Sequence, residues 1–375
     1  MHLHELTTQG FRNLTPDPVT FGAGITLVTG ENAQGKTNLL EAAALLCGQR
    51  SFRGAAASEM AGDGERFAIE GTVSGRRGEE RLTVTWSREE GRGFARAGKT
   101  VGFREVSEIA PAVFLAPEHR EVVLGSPASR RRFLDRLVVG TRPAAGADLA
   151  RYAAALKERN ALLARGKTGG ALRDDELDAW TEELSVSGAA VRRHRVAALG
   201  LWEQEFRALA VDAGGDYAEI RAAYAGGSDD AAEIRAAFRR VSALEKRRGY
   251  SLAGPHRDDL LWTRRERPLA AEASSGEIAR TMALVRLAEW RSVAASAGES
   301  PLFGADDFDA GLSEASAEEF FEALPAGAAV VLTTASAGGR WARRAAAVIE
   351  IRGGSAAAAS TTTPLRALRG GLGRP

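Results

Sequence analysis

Residues Gly30 to Thr37 read GENAQGKT and satisfy the phosphate-binding loop pattern G-x-x-x-x-G-K-[ST] at every constrained position. Such a loop constrains the fold on both sides, because its backbone N–H groups converge on phosphate oxygens only where a strand hands over to a helix N-terminus. Both flanks comply. Gly24 to Thr29 is apolar and β-prone, and Asn38 to Cys47 carries Leu39, Leu40, Ala43, Leu46 and Cys47 on one helical face. The pattern gives Gly30, Glu31, Asn32, Ala33, Gln34 and Gly35 to the backbone cradle, with Asn38 next to it. Lys36 supplies charge to the β- and γ-phosphates and Thr37 a hydroxyl for Mg²⁺. A nucleoside triphosphate is the expected ligand.

A chain of 375 residues exceeds one ordinary core, which favours two domains or one α/β domain with an insertion. With 44% hydrophobic and 26% charged residues it has the balance of a soluble protein, and no apolar run is long enough to cross a bilayer. Met1 to Leu6 lacks the basic start and apolar stretch of a signal peptide, so a cytoplasmic protein is expected. The lone Cys47 lies on the apolar face of the loop-following helix and reads as a core filler. Five scattered histidines offer no metal-site spacing beyond the weak His2-x-His4 pair.

The first hundred residues are strand-rich, with strands expected at 3–9, 25–29, 66–73 and 81–86. From about Pro127 to Lys246 the spacing becomes helical, through Leu149, Tyr152, Leu156, Asn160 and Leu163, then Leu177, Trp180, Leu184 and Val191. The register shifts past Ser187 and His194 before Leu199, Trp202, Phe206 and Leu209, so a compact arm is expected and no long coiled coil. Strands return at 260–263, 302–305, 328–333 and 346–351. The reading is an ATPase-like domain split into 1–126 and 249–352 by a helical arm at 127–248, followed by a low-complexity tail at 353–375.

Hydrolysis needs a second, acidic site, and Asp306-Asp307 follow the apolar run Pro301 to Ala305 at the carboxyl end of a strand. Asp306 is assigned to the Mg²⁺ shell and Asp307, with Lys36, to the chemistry. Ser274-Ser275-Gly276-Glu277 opens another helix, whose N-terminus suits a terminal phosphate. Arginine clusters at 130–132, 192–195, 239–248 and 264–267 suggest a phosphate-contacting surface, with Arg130, Arg131 and Arg132 as candidate DNA contacts, although solvated helix faces are the commoner meaning of any one such run.

This order of phosphate loop, helical insert, Ser-Gly helix start and acidic strand resembles the ABC-type ATPases related to SMC proteins. It resembles most closely the RecF family of bacterial recombination mediators, through Phe11-Arg12-Asn13-Leu14, Arg130 to Asp135 and the stretch Gly254-Pro255-His256-Arg257-Asp258-Asp259. The resemblance covers about residues 1–352. It implies an α/β ABC-type ATPase head with a mixed β lobe and a helical arm, ATP and Mg²⁺ as cofactors, and an ATP-dependent homodimer in which Ser275 and Gly276 act in trans. It implies a phosphate contact for Arg12. It also implies binding to duplex DNA near single/double-strand junctions, a RecR-like mediator as partner, recombinase loading as the indirect outcome, and roles in DNA repair and replication.

The chain departs from the ABC pattern in four places. Val113 stands where many carry a metal-bridging Gln, Ser313 at a D-loop Asp, Thr333-Thr334 at a switch histidine, and Gly304 within an otherwise bulky strand. Slow, switch-like hydrolysis fits these departures. A nucleotide-gated DNA scaffold with negligible hydrolysis, favoured by Asp307 in place of glutamate, and another SMC-like ATPase are the alternatives.

Overall fold

The structure, a computed structural model, describes residues 1–358 apart from 311, 325–326 and 336–338. Three short runs without polar alternation, Ile25–Thr29, Leu302–Ala305 and Val330–Thr334, are almost wholly buried. Runs of that kind suit a sheet covered on both faces. They form the centre of a six-stranded sheet ordered Ser355–Ala358, Ala347–Arg352, Ile25–Thr29, Val330–Thr334, Leu302–Ala305, Ala112–Leu115. Every neighbouring pair is parallel except the first, a terminal hairpin. Gly304 pairs with Phe114 across this sheet, and a Cβ there would lie 2.3 Å from the Phe114 ring. Space for that aromatic is why the strand thins at glycine.

A second sheet is antiparallel and built on alternation: Arg66–Gly75 buries every other side chain from Phe67 to Val73, Gly78–Ser87 buries Leu82 and Val84, and His2–Gln9 buries Leu6 and Thr8 after a register shift that follows Leu3. Val19–Thr20 flanks one edge, and the hairpin Gly91–Arg96 with Lys99–Thr100 flanks the other. The helix Lys36–Leu46 lies between the two sheets, touching Arg66–Gly75 and Gly78–Ser87 on one side and Leu302–Ala305 and Val330–Thr334 on the other. Leu39, Leu40, Leu45 and Leu46 are essentially inaccessible. At about 1.5–3 kcal/mol per fully buried leucine, this single helix anchors the phosphate loop to both layers.

The opposite face of the parallel sheet is covered by the helix Ser275–Ala297, whose Ile278, Met282 and Val285 share a core with Leu27, Val113, Phe303 and Leu332. Into the same core runs the carboxyl half of a 40-residue helix, Asp174–Ala213. Trp202 stacks on Phe206 at 4.7 Å, meets Phe133 and Trp262 edge-on, and donates its indole N–H to the Val285 carbonyl at 3.1 Å. The amino half of this helix packs instead with Gly146–Lys167 and Ala231–Arg248 around Tyr152, Leu184, Val191 and Phe238.

Two features depart from the sequence reading. Ile220–Ala225, inside the stretch read as helical, is a strand paired antiparallel with Asp259–Arg264 in a separate three-stranded sheet. Its sequence, IRAAYA, carries little intrinsic β preference, and the partner strand holds it. The low-complexity stretch expected from Gly353 begins as structure: Gly353 and Gly354 turn with positive φ, and Ser355–Ala358 pairs back on Ala347–Arg352. The rest of that stretch, 359–375, lies outside the described residues. Among the described residues no helix is long and apolar enough to cross a membrane.

Candidate nucleotide site

The strand Ile25–Thr29 ends at Gly30, whose φ of 147° and whose close approach to the Ile351 carbonyl leave no room for a side chain. Gly35, at φ 121°, is the N-cap of the helix that begins at Lys36. Between these glycines the loop is braced from outside its own segment. Gln34 accepts at its side-chain oxygen from the Gly353 N–H at 2.6 Å and at its carbonyl from the Gly354 N–H at 2.9 Å. Asn13 donates to the Gln34 carbonyl at 3.4 Å and accepts from the Asn38 amide at 2.6 Å. Glu31, Asn32 and Ala33 form the exposed crest of the loop. Lys36 is only 5% exposed, and its Nζ donates to the carbonyls of Gly30 at 2.8 Å and Glu31 at 3.0 Å. A buried ammonium held by neutral carbonyls at a helix N-terminus is a ready anion site.

Opposite the loop, Asp306 and Asp307 leave the carboxyl end of Leu302–Ala305. Thr37 donates to both Asp306 carboxylate oxygens at 3.0 Å, and Thr333, on the adjacent strand, donates to Oδ1 at 2.8 Å. The Thr333 hydroxyl oxygen also accepts from the Asp307 N–H at 2.8 Å. Thr333, which stands at a switch-histidine position of the ABC pattern, therefore clasps both acids. Burial pushes the Asp306 carboxyl up to about 6, with Asp307 and Glu118 adding to the rise and the two threonine hydroxyls opposing it. Asp307 sits at φ 41°, and its Oδ1 is buried without a hydrogen-bond partner among the described residues.

A desolvated carboxylate, a hydroxyl already at its side and an orphaned carboxylate oxygen form a set of hard oxygen donors that fits Mg²⁺ shared with phosphate oxygens. Among the described residues no cluster of three or more acidic, His or Cys side chains could hold a metal by itself, so phosphates would have to complete the shell.

A family model described as an AAA domain matches residues 5–109. The DNA replication and repair protein RecF of Deinococcus deserti is 35% identical over 318 residues, covering 83% of this chain and 84% of that one. RecF of Acidothermus cellulolyticus is 32% identical over 84% of this chain and 88% of its own. The chain belongs to the RecF family. In fold it is similar to a solved structure of the recombination mediator RecF with ATP, at a TM-score of 0.88 and 24% identity over 96% of this chain and 98% of that one. It is more distantly similar to an SMC head bound to the winged-helix domain of ScpA, at 0.54 and 12% identity over 96% and 97%. The fold is thus that of an ABC-type ATPase head, with no long coiled coil among the described residues.

Within this RecF-family chain the other sequence-derived candidates stand apart from the loop. Arg12, at φ 53°, gives its guanidinium to fully buried Glu41 at 3.0 and 3.3 Å and to the Glu59 carbonyl at 3.2 Å. The capping residue of Ser275–Ala297 is Ser274, not Ser275: Ser274 Oγ accepts from the Glu277 N–H at 3.3 Å while Glu277 accepts from the Ser274 N–H at 2.8 Å. That frees exposed Ser275, whose hydroxyl makes no hydrogen bond among the described residues. Gly276 follows it in the first turn. Arg264 holds Glu277 at 2.7 Å, which ties this helix start to the three-stranded sheet and not to Lys36.

Most of the basic clusters are committed internally. Arg130 grips Asp259 with two bonds of 2.6 and 2.8 Å, Arg131 donates to the Asp258 carbonyl at 2.8 Å, and Arg132, largely exposed, touches Ser129 at 2.9 Å and Glu121 at 3.7 Å. Arg192 pairs with Asp258 at 2.7 Å and Arg195 with Asp135 at 2.8 Å. The stretch Gly254 to Asp259 is the hub of this network. Gly254, at φ 111°, leaves space that the Tyr152 hydroxyl uses, and that hydroxyl lies 2.7 Å from His256 Nδ1.

Burial lowers His256 to about 4, and its Nε2, 3.1 Å from the Ser251 carbonyl, carries the proton of the neutral ring. Between about pH 6.5 and 4 the unfolded chain binds a proton at this position that the folded chain refuses, so stability rises with pH through that window and falls on acidification. His256→Gln should flatten urea midpoints between those limits, removing about 2–3 kcal/mol of the acid-induced loss. An unaltered pH profile would contradict the assignment.

Proposed function

We propose that this chain is a DNA-repair ATPase whose ATP-bound homodimer grips duplex DNA beside single/double-strand junctions and helps a RecR-like mediator direct recombinase loading. The relatives it matches are DNA replication and repair proteins, and one solved relative carries ATP in the RecFOR pathway. Residues 1–126 and 249–352 are read as the head and 127–248 as the arm, with the arm's long helix rooted in the head core. The observation that carries the reading is the clasp in which Thr37 and Thr333 hold the buried Asp306 across from buried Lys36.

In this reading the loop from Gly30 to Asn38 wraps the phosphates with its backbone, and Lys36 trades its loop carbonyls for phosphate oxygens. Thr37 and Asp306 would hold Mg²⁺, which neutralises charge developing on the phosphates. Asp307 orients water through its orphaned oxygen. Ser275 and Gly276 present a capped helix N-terminus to the γ-phosphate of a second copy. Arg12, whose guanidinium is held by Glu41 on the helix that follows the loop, is the further candidate for a phosphate contact. A second reading, nucleotide-gated association with negligible hydrolysis, draws on Asp307 itself, whose shorter side chain and φ of 41° restrict its reach toward water.

Light scattering with ATP and Mg²⁺ tests the proposal. The protein should move from monomer to dimer, and Ser275→Arg should remain monomeric while binding nucleotide normally. Dimers that form equally without nucleotide would remove the trans site. Dimers with no phosphate release, with or without duplex DNA, would favour the scaffold.

A further inference from the structure

Gly254 to Asp259 is the hub of the buried arginine–aspartate network, and all but one of its side chains face inward or find a partner. Arg257 is the exception: it is exposed, and its guanidinium makes no ion pair or hydrogen bond among the described residues. It lies near enough to act electrostatically on the hydroxyl of Tyr250, a residue 40% exposed. Arg248 donates to the Tyr250 hydroxyl at 3.3 Å. Lys167, the last residue of its helix, packs its side chain against Gly249, within 2.9 Å of where a Cβ would stand. Arg248, Arg257 and Lys167 together pull the Tyr250 hydroxyl below the ordinary phenol range, the Arg248 hydrogen bond first. None of these three cations has an acidic partner among the described residues.

The tyrosine stands on a rigid base. Gly249 closes its helix in the left-handed conformation and donates to the Glu245 carbonyl at 2.7 Å. The Ser251 N–H donates to Asn160 at 2.8 Å and the Leu252 N–H to the Glu245 carboxylate at 2.6 Å. Beneath them Arg159, paired with buried Glu245 at 2.7 Å and donating to Thr181 at 3.0 Å, locks three helices of the arm together. Some charged side chains of the arm are paired, Lys246 with Asp174 at 2.7 Å and Arg235 with Glu182 at 2.6 Å, whereas Arg239, Arg240 and Arg247 are, like Arg248, exposed and without an ion pair among the described residues. What sets this place apart on the basic surface is the solvent-facing ring among cations that have no acidic partner.

We propose that Tyr250, with Arg248, Arg257 and Lys167, is a contact for single-stranded nucleic acid, the ring stacking one unpaired base and the cations holding its flanking phosphates. The inference rests on the junction-binding reading above and adds to it the residues that would hold the unpaired strand. A duplex hides its base faces in its own stack, so an exposed ring offers it nothing beyond charge. An unpaired base supplies the matching face.

The test uses the full chain with ATP and Mg²⁺, a fluorescent oligo(dT) strand and a blunt duplex, with dimerisation followed in parallel. Tyr250→Ala and Arg257→Glu should each weaken the single strand by about tenfold, the order expected for one lost stacked base or its phosphate anchor, and leave the duplex and dimerisation unchanged. Tyr250→Phe keeps the ring and should bind like the unaltered protein, which separates stacking from misfolding. Equal losses on strand and duplex would reduce the patch to general electrostatics and overturn the inference. Unaltered binding in both variants would also overturn it, and would leave an acidic protein partner as the occupant. If the unaltered protein holds duplex but no single strand, the patch alone fails; if it holds neither, the DNA-binding reading fails with it.

Discussion

Lys36→Ala is expected to lower ATP hydrolysis by about 10²–10³, the cost of removing one preorganised charge from where charge develops. The prediction follows from where the ammonium already sits. Lys36 is buried, and its Nζ bridges the carbonyls of Gly30 and Glu31. The side chain thus performs two tasks, shaping the loop crest and supplying the charge that replaces those carbonyl contacts. Alanine removes both. Lys36→Arg should fail nearly as badly, because a planar guanidinium cannot fit where a point charge meets two converging carbonyls. Phosphate release and fluorescent-nucleotide titration would be measured together with thermal unfolding. Loss of nucleotide affinity with an intact melting transition is the expected pattern, and wild-type turnover in Lys36→Ala would sink the assignment of the loop.

Much of this site was legible in the sequence because its constraints are local. Gly30, Gly35, Lys36 and Thr37 are fixed by a backbone conformation that a few consecutive residues dictate, and the flanking strand and helix declare themselves through periodicity. Asp306 was legible for a related reason, since an apolar strand followed by paired acids marks the carboxyl edge where α/β sheets bind ligands. What escaped was long-range. Thr333 reaches Asp306 only because Val330–Thr334 lies between the loop strand and the acidic strand, an order no local pattern specifies. Gln34 is braced by Gly353 and Gly354, more than 300 residues away, in a stretch whose composition reads as a tail. Ser274 and Ser275 differ by one residue, and only the reciprocal bonds with Glu277 decide which of them caps. Charge runs misled in the same way. Arg130 and Arg192 look solvent-bound in the sequence, yet each finds an aspartate from the Gly254–Asp259 stretch that folds back over a hundred residues or dozens of residues later.

The same long-range logic makes Glu245 the most vulnerable residue of the arm. Its carboxylate is fully buried and Arg159 is 2% exposed at its side chain. Every donor of that guanidinium that the structure pairs is spent on a buried partner: on Glu245 at 2.7 Å, on Thr181 Oγ1 at 3.0 Å and, just past the arm, on Ser251 Oγ at 2.8 Å, with the Phe238 ring 4.6 Å beneath. Glu245→Ala leaves the cation desolvated without its counter-ion, and also strips the Leu252 N–H of its acceptor. Breaking a buried pair from one side costs about 3–5 kcal/mol, whereas replacing both partners with apolar residues of similar volume is often close to neutral. Urea denaturation of Glu245→Ala, of Arg159→Met and of the double variant with Glu245→Leu separates these terms. Each single change should lower the midpoint sharply, and the double variant should recover much of the loss, giving a large coupling energy. Additive losses would mean that the two charges reach water independently. Because Ser251 and Leu252 hang from this pair, Glu245→Ala should also raise amide exchange through 250–252 and weaken single-strand binding, without touching Tyr250 itself.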